Sequence, residues 1–499
     1  GNMGAESGSG GGAKALLVAY AFTVNFILGA GVLGLPYGFH RAGWAFSTSF
    51  LFVVTVLGIL TLHLLVDVSA RADALEDADT SNPVETQTLL ESEWQSIQEP
   101  TEPGSPQPSR VLRFAIVRQR EVNELCRVFL GAWPQRIYEL ALAAYVYGSL
   151  WLYTSIFASS VLTAIPVAHW TTSLECDVQS GEMPGKCWDA FYIWACVYAI
   201  LCVPLTMQDL GGPWMKVVQV GLSLLALFGI FLMSATALGG LYTAPAPDSL
   251  APAHGDAPHL SNQWAWKTSG FGTLCSAALF SQTCHYGLPS LIALMPRKTD
   301  ARRVFAAAGC TTFALYTMLG VCTTLYFGPG VEKLVTLNWK TYEWGHHGAR
   351  PWWQTAISYF VVLFPSLLVT AAYPLNAIAL ANNMESSGLA PKAWSATFRR
   401  RFCRLLVSVP PIGAAMAEPD ASKILTFTGL FAFVLVLWAP AALFLIAQRR
   451  CVSQYGPENT KAGDFSGVFH QPWACWVVVV FSVSAFLFSI VNIAHPIDG

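Results

Sequence analysis

The sequence predicts an all-α integral membrane protein of about eleven transmembrane helices. They form an inverted 5+5 repeat with broken helices 1 and 6, plus one extra helix. Three observations carry this reading. Of 499 residues, 54% are hydrophobic and only 12% charged, whereas soluble domains carry about 25% charged residues. Apolar runs of the ~20 residues a bilayer requires recur along the whole chain. The tripeptide Gly-Leu-Pro lies in the first run, Gly34-Leu35-Pro36, and again in the sixth, Gly287-Leu288-Pro289.

Hydropathy places the spans near 15–38, 44–67, 136–167, 189–208, 214–238, 270–294, 303–327, 354–382, 402–417, 423–447 and 472–494. With the N-terminus in the cytosol, 21 of the 28 Lys and Arg fall on the cytosolic side, as the positive-inside rule requires. Spans 1–5 and 6–10 then have opposite orientation. A net charge of −2 argues against a nucleic-acid partner.

Residues 1–13, rich in Gly and Ser, read as a flexible tail, and 14–447 as a ten-helix core. No cleavable leader is expected, because the first apolar run is too long for one. That run contains Asn25 and the stretch Gly29-Ala30-Gly31-Val32-Leu33-Gly34-Leu35-Pro36. Gly permits unusual backbone angles, and Pro removes a donor and clashes one turn back. A helix broken from Gly29 to Gly34 is expected, and broken backbone at membrane depth must line a cavity or lie inside protein. Close packing through small residues is the plainer alternative.

After span 2 comes a cytosolic insert, 68–135. Nine acidic residues lie between Asp73 and Glu102, with no Lys or Arg from Ala72 to Ser109. This composition predicts disorder. Within it Glu85, Leu89 and Leu90 have the spacing of an acidic dileucine sorting signal, which implies a sorting adaptor as partner and an endolysosomal rather than a plasma membrane. The segment Val111 to Trp133 mixes apolar residues with Arg and predicts an interfacial helix. Of the twelve cysteines only Cys176 and Cys187 fall on the extracytosolic side, in the loop 168–188, and they predict a disulfide there. Residues 448–499 read as a cytosolic loop and the eleventh helix.

The sixth span holds Cys284-His285-Tyr286-Gly287 before its Leu-Pro. Two Gly/Pro-interrupted spans at matching positions of inverted halves point to a transporter's central site. His285 is the ionisable residue closest to the middle of a span. Such residues serve cavities or relays, and His can titrate near neutral pH; the alternative is a neutral imidazole bonded across helices. In span 8, the hydroxyls of Ser366 and Thr370 can ligate a hard cation or bond back to the preceding turn.

The stretch Asn25 to Gly43, NFILGAGVLGLPYGFHRAG, resembles the first helix of the amino acid/auxin permease family, within the amino acid–polyamine–cation transporters. CWDAFYIW at 187–194, HYGLPSLI at 285–292 and Phe364-Pro365…Tyr373-Pro374 resemble that family's transmembrane protein 104 branch. The resemblance implies secondary active amino acid transport by alternating access, with Na⁺ or H⁺ as coupling ion and no other cofactor. It implies a cation site at Asn25 with Thr370 or Ser366. Peptide groups at Gly29, Ala30 and Gly31 would meet a substrate carboxylate, with Asn25, His285, Tyr286 and Gly287 completing the pocket. A sensor of the same fold, signalling through the 68–135 insert, is the competing function. No nucleophile–base or metal-ligand spacing suggests an enzyme.

Overall fold

The first apolar run folds as two helices, α1 (Ser9–Leu28) and α2 (Gly31–Ala42). They meet at an angle of 53°. The computed structural model describes residues 9–96, 112–165, 176, 185–208, 213–243, 265–267, 269–341, 351–387, 391, 393–467 and 469–494. Among them there is no β-strand.

Helix α3 (Trp44–Ser96) runs on well past the expected end of span 2. This corrects the expectation of disorder from residue 68. Ala and Leu are strong helix formers, and Ala72, Ala74, Leu75 and Ala78 give the extension a buried side. Two of the acids, Asp73 and Glu76, are paired. Asp73 accepts from the Val117 and Arg118 amides at 2.7 and 2.9 Å and pairs with Arg120 Nε at 3.0 Å. Glu76 pairs with both Arg118 and Arg120. Residues 112–121 are therefore non-helical chain laid along α3, and only α4 (Val122–Leu130) is the expected helix. Glu85, Leu89 and Leu90 fall on helical backbone; their side chains lie outside the described part.

Helices α5 (Ala132–Ala164), α6 (Gly185–Thr206) and α7 (Pro213–Thr243) complete the first half. Cys176 and Cys187 are disulfide-bonded, with Cα atoms 5.6 Å apart, tying the loop after α5 to the start of α6. The sixth run is split into α8 (Phe271–Ser281) and α9 (Leu288–Ala293). Next come α10 (Ala301–Phe327) and α11 (Trp352–Ser386), the latter helical through Pro365 and Pro374. The ninth run is α12 (Ala396–Ser408) and α13 (Pro410–Ala417), divided where Pro410 and Pro411 withdraw two N–H donors. Helix α14 (Ala421–Ala432) passes through a π-helical turn, Phe433–Trp438, into α15 (Ala439–Tyr455); α16 (Pro472–Ala494) is last.

Among the described residues, eight helical stretches are long and apolar enough to cross a membrane, or nine with α1–α2 counted as one bent span. The sixth and ninth expected spans are pairs of shorter helices. At 1.5 Å per residue, neither member of either pair spans ~30 Å alone.

Helix α2 packs on α8, and α1 on α9. The two broken helices thus lie antiparallel with their breaks side by side. Around them α11 packs on α5, α14 on both α5 and α8, and α10 on α1, α3 and α7. The disulfide marks one end of the bundle, and α4 with the α3 extension marks the other.

Candidate substrate site

Each half of the site begins with an interrupted helix. In the first, only Gly29 and Ala30 leave the helix. Gly29 has φ of 24°, which a Cβ would strain. Helical bonding resumes where Leu33 N–H donates to Ala30 O at 3.1 Å. The break is narrower than the sequence suggests, since Gly31 to Gly34 are already helical. In the second, Gln282 to Cys284 leave the helix, His285–Gly287 form a 3₁₀ turn, and Leu288 starts α9.

The breaks touch through residues too small to keep them apart. A Cβ on Gly31 would lie 2.5 Å from Ser281 Oγ and 2.9 Å from Ser281 Cα. Tyr316 on α10 fastens both: its buried hydroxyl lies 2.8 Å from Ile27 O and 3.1 Å from Ser281 O. These carbonyls belong to the last turns of α1 and α8, where helical acceptors lose their partners. One O–H therefore serves an orphan acceptor on either side.

A central cavity of about 110 Å³ opens beside the breaks. Asn25, Gly29, Ala30 and Gly31 line one wall; Tyr145, Ser149 and Tyr153 of α5 line another; Thr283, Tyr286 and Asn376 close it. No lining residue is charged. Tyr286 donates to Asn376 Oδ1 at 2.7 Å, and Asn376 Nδ2 donates to Ala372 O at 3.0 Å. The Tyr286 ring stands 5.4 Å from Phe26 and 5.9 Å from Tyr145, centroid to centroid. A recess of about 50 Å³ continues from Asn25, Gly29 and Ala30 to Leu368, Val369, Ala371 and Ala372 of α11.

Phe26 and Tyr286 also border a larger vestibule of about 530 Å³, which leads past Ser290, Asn383 and Arg404 to the exposed Glu121 and Glu124 at the α4 end. The tilted ring pair forms the partition between the two cavities.

Of the residues singled out from the sequence, Asn25, Gly29, Ala30, Gly31 and Tyr286 meet on the central cavity, and Gly287 lines the vestibule. His285 lies elsewhere. It is fully buried against α3, with Nε2 2.9 Å from Thr61 Oγ1, and lines neither the cavity nor the vestibule. The reason is helical geometry: successive residues of a turn point in different directions, so Tyr286 takes the cavity and its neighbour does not. Thr370 donates to Ser366 O at 2.6 Å, the bond back to the preceding turn, and it does not line the recess. Ser366 is buried with its hydroxyl unpartnered.

Sequence reading missed Phe26, Tyr145, Ser149, Tyr153, Thr283 and Tyr316. For the α5 residues a signal was available: Tyr145, Ser149 and Tyr153 repeat every four residues, a polar stripe on one face of an apolar helix.

The family described as transmembrane amino acid transporter protein matches residues 14–81 and 117–494. This chain belongs to that family. It is similar over nearly its full length to a transmembrane protein 104 homolog of Drosophila melanogaster, 23% identical over 96% of both chains. Human transmembrane protein 104 is also 23% identical, over 95% of this chain and 96% of its own. Among solved structures, MhsT in complex with L-phenylalanine shares the fold at a TM-score of 0.53 and 10% identity, covering 95% of this chain and 98% of MhsT. A manganese transporter of Eremococcus coleocola does so at 0.52 and 11%, covering 99% and 90%. The chain is thus a multi-pass membrane protein of a transporter family.

Proposed function

We propose that the protein is a secondary active transporter of neutral amino acids, working by alternating access. The central cavity carries this reading: it lies at two facing helix breaks, is lined by amides, hydroxyls and aromatic rings, and holds no charged side chain. The first peptide groups of α2 offer donors and a helix-dipole end to a carboxylate. The carbonyls at the ends of α1 and α8 suit an ammonium. Nothing lining the cavity would pair with a charged substrate side chain, and burying an unpaired charge is costly. A divalent metal would also find no carboxylate, thiol or thioether among the lining residues.

The α4 end faces the cytosol in this reading, together with the N-terminus, so the vestibule is the cytosolic access route and Phe26–Tyr286 its inner gate. Na⁺ would occupy the recess beside Asn25, and since neither Ser366 nor Thr370 lines that recess here, their hydroxyls would reach it only after the α11 turn shifts. Protons would instead act through His285, by altering its bond to Thr61 and so the seating of α9 against α3. Glu85, Leu89 and Leu90 would address the protein to an endolysosomal membrane through a sorting adaptor. The test is uptake of labelled neutral amino acids into proteoliposomes, with Na⁺ and pH gradients varied separately. Saturable, gradient-dependent uptake is expected. Binding without flux would favour a sensor of the same fold.

A further inference from the structure

A separate cavity, about 380 Å³, opens between α3 and α16, away from the substrate route. Its walls are apolar: Val56, Leu57, Ile59 and Leu60 on one side, Ala474 and Val477 on the other. At the α4 end the lining turns polar, with His63, Arg302 and His470. Phe469 and Trp473 stand at this rim, 59% and 57% exposed, as aromatic residues do at a membrane interface.

The polar end has unused capacity. Arg302 donates through Nη1 to Ser466 O at 2.8 Å, while its Nε has no partner. Among the described residues no carboxylate forms an ion pair with Arg302. His470 is only 4% exposed. Its Nδ1 lies 3.0 Å from Asp67 Oδ2, and its Nε2 is unpartnered. A carboxylate can only accept, so Nδ1 carries the proton; in the neutral ring Nε2 is then an acceptor. Asp67 adds no free negative charge to the cavity: it is fully buried, and Arg71 Nε donates to its other oxygen at 2.5 Å. The cavity thus joins a guanidinium that no described carboxylate pairs, a buried imidazole nitrogen without a partner, and an apolar trough running toward the membrane centre.

We propose that this cavity binds one anionic phospholipid, its phosphate on Arg302, a headgroup N–H or O–H on His470 Nε2, and an acyl chain between α3 and α16. Phosphatidylserine meets all three requirements. Phosphatidylcholine offers the phosphate and the acyl chain, but it has no headgroup donor for His470 Nε2 and no net negative charge. The bound lipid would brace the start of α10, the helix that carries Tyr316 to the two breaks.

Purified protein in detergent, titrated with phosphatidylserine or phosphatidylcholine, tests this by native mass spectrometry and thermal melting. One retained phosphatidylserine and a raised melting temperature are expected, both clearly weaker with phosphatidylcholine. Both effects should be lost in Arg302→Met. If that variant does not fold, Val477→Trp serves instead: Val477 is half-exposed on the trough, and the indole would fill it without entering the core. Equal retention of the two lipids would overturn the proposal. So would phosphatidylserine binding that survives whichever of the two substitutions folds.

Discussion

The two helix breaks share a Gly-Leu-Pro tripeptide yet use it differently. In the first, Gly34-Leu35-Pro36 lies inside α2, and the chain breaks five residues earlier, at Gly29. In the second, Gly287 closes a 3₁₀ turn and Leu288-Pro289 begin α9, where a missing N–H costs nothing. The break there comes before the motif, at Gln282 to Cys284. A shared tripeptide therefore marks a weak region of helix, while the neighbouring backbone decides where it opens. Side-chain fate differs too: Asn25, just before the first break, lines the cavity, whereas His285, just after the second, turns to α3.

Substitutions can break this pairing of the two sites or sharpen it. The largest effect is expected at their contact. Gly31→Leu would force a side chain into the Ser281 backbone, and overpacking of this kind costs about 3 kcal/mol or more. The variant should melt far below the wild type or fail to assemble. Gly29→Ala, by contrast, meets nothing closer than 3.8 Å. It should cost only the ~1 kcal/mol of an unfavourable φ.

Tyr316→Phe comes next. It removes the one hydroxyl that serves both breaks and leaves two buried carbonyls unpaired, at about 1–3 kcal/mol. Melting temperature and affinity for the transported amino acid should fall together, because the same bond positions both breaks.

Gly287→Ala should change kinetics more than stability. Its Cβ would lie 2.6 Å from the Phe26 ring tip, a side chain free to move toward the vestibule. Substrate release to the vestibule should quicken as the partition loosens, and Phe26→Ala should abolish the difference. The smallest effect is expected for His285→Gln, whose amide can retain the Thr61 bond. Binding should persist, and an altered pH profile of uptake would assign proton coupling to this contact. An unaltered profile would leave Na⁺ beside Asn25 as the coupling ion.

Much of this architecture is legible in the chain. Long apolar runs, the Lys and Arg asymmetry and two runs interrupted by Gly and Pro suffice for a broken-helix membrane bundle, because a bilayer leaves so few ways to satisfy a backbone. Asn25, Gly29 and Tyr286 could be found because they sit at or beside the interruptions. Tyr316 could not: its role depends on α10 crossing both breaks, and a tyrosine in an apolar helix gives no sign of that. The α3 extension was hidden for a similar reason. Asp73 and Glu76 look solvated in sequence, yet their partners Arg118 and Arg120 stand more than forty residues away. His285 shows the opposite failing, since chemical suitability at the right depth does not say which side of a turn faces the cavity.

The central claim is that substrate sits where the two breaks face each other. Uptake of labelled neutral amino acids by proteoliposomes containing wild-type protein or Asn25→Ala tests it most directly, with thermal melting to confirm that the variant folds. The account predicts saturable uptake by the wild type, and a folded Asn25→Ala whose affinity is weakened at every pH. Wild-type uptake left unchanged by Asn25→Ala would place the substrate elsewhere and contradict it.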